Sequence, residues 1–482
     1  MRDPKALGRQ AGHAPRRARE ARPGAPAGAG LLIAGVLAAL VFAHYVPLVR
    51  RYPPAMSQAA ILVCFTIGSW ALGLLKEPVT TLLFFLFAML FGVAPAQTVF
   101  AGFASPAWWL VLGGAITGVA IRVTGLAGRF SNALLAARLS SYGHYVAAVA
   151  LGAVALAFVM PSTTGRVLLL TPLALTLADR LGFEPGRRGR TGLVLTVAAA
   201  SYMPPAAILP ANIPNSVLLG AAQSLYGVHL HYGPYLLLHF PVLGVLKTAV
   251  LVALVCRLFP DRVEPVSRSA VAEARLSRRE RTLAVVLGLA LLCYATDFWH
   301  GISPAWVSLA AGVACLLPQT GIVPAKDFSE QVHLTPLIYV AGFLGLGALI
   351  AGSGLGAWAA GLLLHGIQMT PGHPQANALW LGLIGAGIGL LTTLPGLPAV
   401  LTPVAAQFAH ASGLPLYTVL MLQVPVFSTV LLPYQSPPMM IAMHIGAVSL
   451  RDGTRLCVCL AAITVVVLLP LDALWWRLLG LF

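Results

Sequence analysis

A cluster of hydroxyl side chains followed by an arginine interrupts one of the long apolar stretches of the chain. Ser162, Thr163 and Thr164 stand there with a proline and a glycine, and Arg166 comes shortly after them. A helix that begins at such a break presents free N–H groups and the positive end of its dipole. Together with a buried guanidinium, that arrangement suits a bound anion.

The charge of Arg166 needs a partner, because leaving it unpaired within a membrane costs several kcal/mol. The nearest acidic residue along the chain is Asp179, which is more than about three helical turns away. A bound anion is one partner that satisfies the charge. The alternatives are that Arg166 extends to the cytoplasmic surface or pairs with Asp179.

A second apolar stretch carries hydroxyl groups beside a similar break. Thr392 and Thr393 precede Pro395, Gly396 and Pro398. Because prolines and glycine interrupt a helix and expose its backbone groups, this segment is predicted to form a second binding tip. A simple proline kink between two short spans is the alternative.

Each of these stretches is followed by a run in which prolines exclude a continuous helix. Residues 204–214 contain four prolines, and Asn212 and Asn215 lie at this break. The two amides can bind an ion or line a substrate site, or they can make ordinary hydrogen bonds between helices. In the second half, Gln435, Ser436 and Pro437 occupy the corresponding place.

The surrounding chain has the composition of a membrane protein. Of its 482 residues, 58% are hydrophobic and only 9% are charged, whereas a soluble domain averages about 25% charged residues. Apolar runs of about 20 residues indicate membrane-spanning helices. The predicted spans are 31–49, 57–75, 79–95, 105–127, 191–222, 235–259, 283–299, 303–318, 334–356, 415–446 and 454–477. The interrupted stretches 146–182 and 377–413 are predicted to be re-entrant helical hairpins.

The distribution of basic residues predicts the orientation. The net charge of +16 comes from short tracts between the apolar runs, which is the positive-inside pattern and not a nucleic-acid surface. With the N-terminus in the cytoplasm, most of the 30 Lys and Arg face the cytoplasmic side of a bacterial-type inner membrane. The exceptions are Arg50, Arg51 and Arg477 outside, and Arg122, Arg166 and Lys247 at membrane depth.

Two matching pairs of segments indicate that the chain consists of two similar halves. The pairs are residues 111–126 with 340–355, and Pro172 and Gly182 with Pro403 and Gly413, at nearly one offset. Each half holds five full spans, an odd number, so the second copy must be inverted. Inverted repeats with interrupted helices are typical of secondary transporters, whose site lies at the repeat interface. A duplicated scaffold without transport is the alternative.

The predicted fold is therefore an all-α polytopic membrane protein. It has two inverted repeats of five transmembrane helices, each with a re-entrant hairpin, and an extra N-terminal transmembrane helix. The predicted segments are a disordered basic cytoplasmic tail at 1–30, the extra helix at 31–56, the first repeat at 57–259, a cytoplasmic linker at 260–282 and the second repeat at 283–482.

Other chemistries have little support in the sequence. The six cysteines fall almost entirely within apolar runs and have no zinc-ligand spacing, and no phosphate-binding loop or catalytic triad is evident, so neither an enzyme nor a cofactor is predicted. Asp297 and Asp472 are expected near the ends of their spans, which argues against a cation carrier or a carboxylate-based proton pump. No role is assigned to Lys247.

The motifs resemble a known family. Residues 161–166, Pro-Ser-Thr-Thr-Gly-Arg, are similar to the Pro-Ser-Asn-Thr-Ala-Arg version of a Ser-Asn-Thr motif in the divalent anion/sodium symporter family. The subgroup with that arginine includes dicarboxylate and citrate carriers of the ion transporter superfamily. Residues 101–109, 432–438 and 448–452 resemble further segments of the family, and the likeness extends from about 57 to 477.

The resemblance implies roles for residues at matching positions. In that family the two tips bind substrate carboxylates, and together with the broken spans they hold sodium. The implied substrate-binding residues are Ser162, Thr163, Thr164, Arg166, Thr392, Thr393, Gln435, Ser436 and Pro437, and the implied ion-binding residues are Asn212 and Asn215. The resemblance also implies a homodimer.

The sequence departs from the family at both tips. Thr163 replaces the family asparagine, and the second tip, Thr393-Leu394-Pro395, has no asparagine. Because sodium prefers carbonyl-type oxygen ligands, the loss of two amides favours proton coupling or anion exchange over sodium coupling. The predicted function is secondary transport of a small organic anion, a di- or tricarboxylate, across the lipid bilayer. An inorganic oxyanion permease of the sulfate or arsenite type and a non-transporting membrane sensor or scaffold are the alternatives.

Overall fold

The structure, a computed structural model, describes residues 33–40, 53–126, 128–129, 139–263, 276–365, 367 and 369–481. Within these ranges every regular element is helical, and seven helices are long and apolar enough to cross a membrane. The predicted tail at 1–30 lies outside the described residues. So do most of the extra helix, of which only the helical segment 33–40 is described, and the central part of the linker.

The first half contains eight principal helices. They are α1 (Pro54–Leu72), α2 (Glu77–Leu90), α3 (Pro106–Thr124), α4 (Tyr142–Val159), α5 (Thr163–Arg180), α6 (Arg188–Ala200), α7 (Ile213–Tyr226) and α8 (Tyr232–Leu258). Short helices at Ala96–Val99 and Ala101–Ala104 lead into α3. A 3-10 turn at Pro204–Ala207 separates α6 from α7.

The described part of the second half has a similar order of elements with more interruptions. Its principal helices are α9 (Arg278–Ala295), α10 (Pro304–Leu316), α11 (Thr335–Gly352), α12 (Leu355–His365), α13 (Pro374–Leu391), α14 (Leu397–Leu401), α15 (Ala405–Ser412), α16 (Leu416–Phe427), α17 (Pro437–Ile445) and α18 (Leu450–Leu478). Short helices lie at Asp297–His300 and Ala325–Gln331. The 3-10 turns are Leu394–Gly396, Thr402–Val404 and Pro433–Gln435.

Local sequence accounts for where these helices begin and end. Ser162 caps α5 by accepting a hydrogen bond from the Gly165 N–H, and Asn212 caps α7 in the same way through Asn215. Both caps satisfy backbone donors that a helix leaves unpaired at its start. The predicted all-helical membrane fold is confirmed, and the described helices agree with the predicted spans to within several residues.

The segments that suggested a sequence repeat share their backbone conformation. Gly125 and Gly354 each follow a helix with φ of 78°, and Gly182 and Gly413 follow their helices with φ of 72° and 70°. Glycine suits these positions because it adopts positive φ without a steric penalty. These matching glycine conformations are consistent with a two-fold repetition. The inversion of the second copy, the segment limits, the orientation and the homodimer stay predictions.

The two halves interlock at their broken segments. Helix α17 of the second half packs on α5 and α6 of the first, and α7 of the first half packs on α11 and α14 of the second. Helices α3 and α10 also cross closely, since a Cβ atom at Gly113 would lie 2.3 Å from the carbonyl oxygen of Ser308. These contacts place the hairpins and broken spans of both halves in one assembly.

Candidate functional site

The first tip (residues 160–163) joins α4 to α5 and contains the side chains singled out in the sequence. Ser162 and Thr164 are half-buried, and Thr163 is buried. Arg166 is 0% exposed, so the alternative in which this side chain extends to the cytoplasmic surface does not occur. In the described residues Asp179 pairs with Arg190 instead, and Arg166 has no carboxylate in ion-pair contact.

The guanidinium of Arg166 is surrounded by oxygen atoms of the protein. Its Nη1 donates to the carbonyl oxygen of Met160. Its Nη2 donates to the carbonyl oxygens of Ser201 and Ala211 at 2.7 and 3.0 Å, and to Thr163 Oγ1 at 3.1 Å. These carbonyl and hydroxyl oxygens accept hydrogen bonds from Nη1 and Nη2, but they carry no formal negative charge to compensate the guanidinium. Its Nε has no hydrogen-bond partner.

The first break (residues 201–212) is held in shape by the two asparagines. Asn215 donates through Nδ2 to the carbonyl oxygens of Ala206 and Ile208 at 3.1 and 2.7 Å. The Tyr235 hydroxyl also donates to Ala206, at 2.8 Å. Asn212 Nδ2 and Asn215 Oδ1 have no hydrogen-bond partner. Each asparagine therefore uses one end of its amide for the backbone and keeps the other end available.

The second tip (residues 392–396) is buried and has an irregular backbone. Thr392 and Thr393 are 2% and 7% exposed and have extended backbone conformations. Thr393 Oγ1 lies 3.2 Å from the hydroxyl of Tyr339, while Thr392 Oγ1 has no partner. The 3-10 turn at Leu394–Gly396 then leads into α14. The backbone therefore leaves the helical conformation at this tip, between the end of α13 and the start of α14, and does not form a simple proline kink.

The second break (residues 428–436) is tied to the second hairpin by Gln435. The Gln435 Oε1 atom accepts from the backbone N–H groups of Leu431 and Leu432 at 2.8 and 2.9 Å, and its Nε2 donates to the carbonyl oxygen of Gly389. Ser436 is fully buried with an unpartnered hydroxyl. Pro437 begins α17. Gln435 thus joins the hairpin and the broken span of its half, as Arg166 does in the other half.

Unpartnered buried polar atoms gather around the two tips and breaks. Those at the tips and breaks belong to Arg166, Ser201, Tyr202, Asn212, Asn215, Thr392 and Ser436, while Thr171 lies further along α5 and others lie elsewhere in the described residues. An unsatisfied buried polar group costs about 1–3 kcal/mol. Such groups in a native protein call for an explanation. One explanation for these unpartnered atoms is that they form hydrogen bonds to a bound ligand.

Sequence reasoning missed several of these polar residues. Ser201 and Tyr202 directly precede the prolines of the first break, and that proximity was the available signal. Thr171 lies two helical turns beyond the first tip on α5, and Tyr339 contacts the second tip from α11. Only the packing of separate helices brings these hydroxyl groups to the tips.

Among the described residues no group of three or more His, Cys, Asp or Glu side chains is placed to hold a metal ion. The polar atoms at the tips are hydroxyls, amides and backbone groups, together with one guanidinium. This set donates hydrogen bonds and carries positive charge, so it suits an anionic ligand better than a transition metal.

The comparison with protein families agrees with this fold. The family described as sodium:sulfate symporter transmembrane region matches residues 31–482. The chain belongs to the divalent anion/sodium symporter family. It is accordingly a multi-pass membrane transporter of the anion/sodium symporter type, and the predicted family membership is confirmed.

Relatives of this symporter-family chain include two bacterial proteins. A membrane protein of Cupriavidus necator is 24% identical over 408 residues, which cover 79% of this chain and 76% of that protein. An uncharacterized transporter of Haemophilus influenzae is 20% identical over 445 residues, covering 89% and 94% of the two chains. The crystal structure of the Alcanivorax borkumensis YdaH transporter has a similar fold, with a TM-score of 0.52 and 18% identity over 89% of this chain and 98% of that one.

Proposed function

We propose that this protein is a secondary transporter of a small organic anion, a di- or tricarboxylate, and that sodium is not its obligatory coupling ion. The observation that carries the proposal is the environment of Arg166. A permanent cation is fully buried at the first tip, and among the described residues no carboxylate pairs with it. A transported anion supplies the missing negative charge.

The proposed anion lies between the two tips. Thr392 and the half-buried Ser162 and Thr164 supply hydroxyl donors, and Asn212 supplies a free amide N–H. Thr163 lies beside them, with its hydroxyl donating to the carbonyl oxygen of Ala211 at 3.5 Å. Arg166 acts mainly through its field, because its terminal nitrogens already donate to protein oxygens and only Nε lacks a partner. At low effective dielectric that field extends over several ångströms. Gln435, Ser436 and Pro437 form the opposite wall, with Thr393 held behind it by Tyr339.

The geometry around Arg166 also supports weak sodium dependence. The ring of oxygens from Met160, Thr163, Ser201 and Ala211 resembles the carbonyl-type ligands that sodium prefers, and a guanidinium already fills it. A second cation in the same ring would add like-charge repulsion. Proton coupling or anion exchange is therefore the proposed energy source.

Transport in proteoliposomes tests the proposal. Vesicles loaded with unlabelled succinate, citrate or sulfate would be assayed for exchange with the same labelled anion outside, at constant pH and membrane potential. Exchange of succinate or citrate is expected. Exchange of sulfate alone would select the inorganic oxyanion permease, and the absence of exchange for every anion would favour the non-transporting scaffold. Arg166→Gln should abolish exchange, and Arg180→Gln, on the exposed end of the same helix, should not.

A further inference from the structure

A second buried polar cluster lies where the final helices of the two halves meet. Helix α8 widens into a π-helical turn at Phe240–Leu246, and α18 does so at Thr464–Leu468. The two turns contact each other. Turns of this kind interrupt the regular helical hydrogen bonds and occur frequently at functional sites. The side chains that follow them therefore merit a functional explanation.

Lys247 directly follows the first π-helical turn and is 0% exposed. Its Nζ atom donates to the carbonyl oxygen of Ser428 at 2.7 Å and lies 3.2 Å from the Ser428 hydroxyl oxygen. An ammonium group has three N–H donors, so these two contacts leave it capacity for another acceptor. Its positive charge is compensated by neither contact.

Asp472 follows the second π-helical turn and is 3% exposed. Asp472 lies near the end of its helix as the sequence predicted, since α18 ends at Leu478, but its carboxyl group is buried, so the argument from sequence against a carboxylate-based proton site was wrong. The interaction of Asp472 with Lys247 is electrostatic, without a direct ion pair in the described residues. Its Oδ1 atom has no hydrogen-bond partner. A proton or a closer ammonium would satisfy that oxygen.

A cavity connects Asp472 to the second tip region. It has a volume of about 310 Å³, and its lining includes Asp472 and Trp476 of α18 together with Gly389, Leu394 and Gln435. Gln435 is one of the proposed wall residues of the anion site. The cavity therefore gives the buried acid a route to the segments that are expected to move during transport.

The other titratable groups around this pair come from two helices. His239 and Tyr235 lie on α8 with their ring centroids 4.6 Å apart, and Tyr417 lies on α16. His239 is fully buried, its two ring nitrogens have no hydrogen-bond partner, and its ring lies 5.5 Å from that of Trp476. A tyrosine is neutral near neutral pH, and an imidazole with the ordinary pKa of about 6.5 is mostly neutral there. The charge of the cluster is consequently decided by Lys247 and Asp472.

We propose that Asp472, together with Lys247, forms a proton-binding site that couples proton movement to transport. The carboxylate takes up one proton from the cavity at its unpartnered oxygen, which changes the pair from zero net charge to one positive charge. Movement of the second hairpin alters the cavity, and this changes the relative stability of the protonated and unprotonated forms of Asp472. A difference of this kind between conformations is what coupling requires. The transport half of this proposal rests on the proposed function, whereas the proton-binding half does not.

Infrared titration of the purified protein tests proton binding without any substrate. Besides the bands of its exposed carboxyl groups, the wild type should show, as pH is lowered, a separate C=O stretch at the higher frequency of a protonated carboxylic acid in an apolar environment. Asp472→Asn should lose that band, and Asp472→Glu should restore one. Asp452→Asn, at the start of the same helix α18, serves as the matched control and should retain the wild-type band. Absence of the band from the wild type, or its persistence in Asp472→Asn, would overturn the proton site.

Proton flux tests the coupling. In proteoliposomes with a pH-sensitive dye inside, Asp472→Asn should reduce anion-driven proton flux by more than about tenfold, while anion exchange stays within about threefold of wild type. Proton flux in Asp472→Asn that equals that of the Asp452→Asn control would contradict the coupling. If the wild type exchanges no anion, the proposed function fails, and the infrared titration still decides whether Asp472 binds a proton.

Discussion

The guanidinium of Arg166 donates a hydrogen bond of 3.0 Å to the carbonyl oxygen of Ala211. The bond links two segments that are far apart in sequence. Arg166 lies in α5, just after the first tip, and Ala211 lies in the first break, directly before the residue that caps α7. Ser201, on the other side of the same break, accepts a second bond from the same nitrogen. The first tip and the first break are therefore held together as one unit around a positive charge.

Asn215 should be essential for the stability of that unit. Asn215→Leu would leave the carbonyl oxygens of Ala206 and Ile208 without the amide donor that now reaches both. The expected loss is about 2 kcal/mol or more, because the remaining groups stay buried. Thermal unfolding in detergent measures it, with Gln223→Leu at the half-buried end of the same helix as the control. Equal melting temperatures for the two variants would show that the break does not depend on Asn215.

Transport should depend little on sodium. Because Arg166 fills the oxygen ring at the first tip, replacing sodium by potassium at constant pH should change anion uptake by less than about tenfold, or about 1.4 kcal/mol. Initial rates in proteoliposomes provide the measurement, and a choline series controls for potassium itself. A larger fall in uptake without sodium would mean that sodium binds despite the guanidinium.

The polar linker between the halves should face the cytoplasm. Leu276 is exposed next to Ser277, whose side chain caps α9 together with Glu280, so a cysteine at position 276 leaves the cap intact. In intact cells, Leu276→Cys should not react with an impermeant thiol reagent, but it should react after the membrane is permeabilised. The unsubstituted chain reports labelling of the native cysteines. Labelling of Leu276→Cys from outside would reverse the predicted orientation.

The ion pair between Arg187 and Asp261 should stabilise the protein in a pH-dependent manner. Burial raises the pKa of Asp261, but hydrogen bonds from Arg187 and from the N–H groups of Arg262 and Gly189 outweigh it, and the pKa lies below its ordinary value. The stabilisation is therefore complete above the ordinary carboxyl pKa of about 4 and is lost as pH falls through the lower folded-state value. Asp261→Asn should lower the melting temperature at neutral pH, and this difference should shrink under acidic conditions.

If the melting temperature of Asp261→Asn differs from that of the wild type by the same amount at every pH, the shape of the Asp261 side chain, and not its charge, accounts for its stabilising role. Asp179→Asn is a suitable comparison, because Asp179 is a more exposed partner of an arginine, Arg190. Exposed ion pairs contribute about 0–1 kcal/mol, so the Asp179→Asn variant should change stability less than Asp261→Asn.

The sequence predicted much of this architecture. The tips and breaks follow from proline, glycine and hydroxyl residues that interrupt apolar runs, and these are local properties of the chain. The partners of Arg166 could not be predicted in the same way, because Ser201 and Ala211 come from another span. The burial of Asp472 was also beyond sequence reasoning, since it depends on how α18 packs against its neighbours.

Calorimetric titration of the purified protein with its best-exchanged anion tests the role of Arg166 most directly. Arg166→Gln removes the buried positive charge whose field attracts the anion, so it should weaken binding by at least about a hundredfold, or about 2.7 kcal/mol. Arg166→Lys should recover only part of the affinity, because an ammonium cannot reproduce the planar donors, and Arg180→Gln should bind as the wild type does. An unchanged dissociation constant for a folded Arg166→Gln variant would contradict the account and leave the hydroxyls of Ser162 and Thr164 as the remaining candidates.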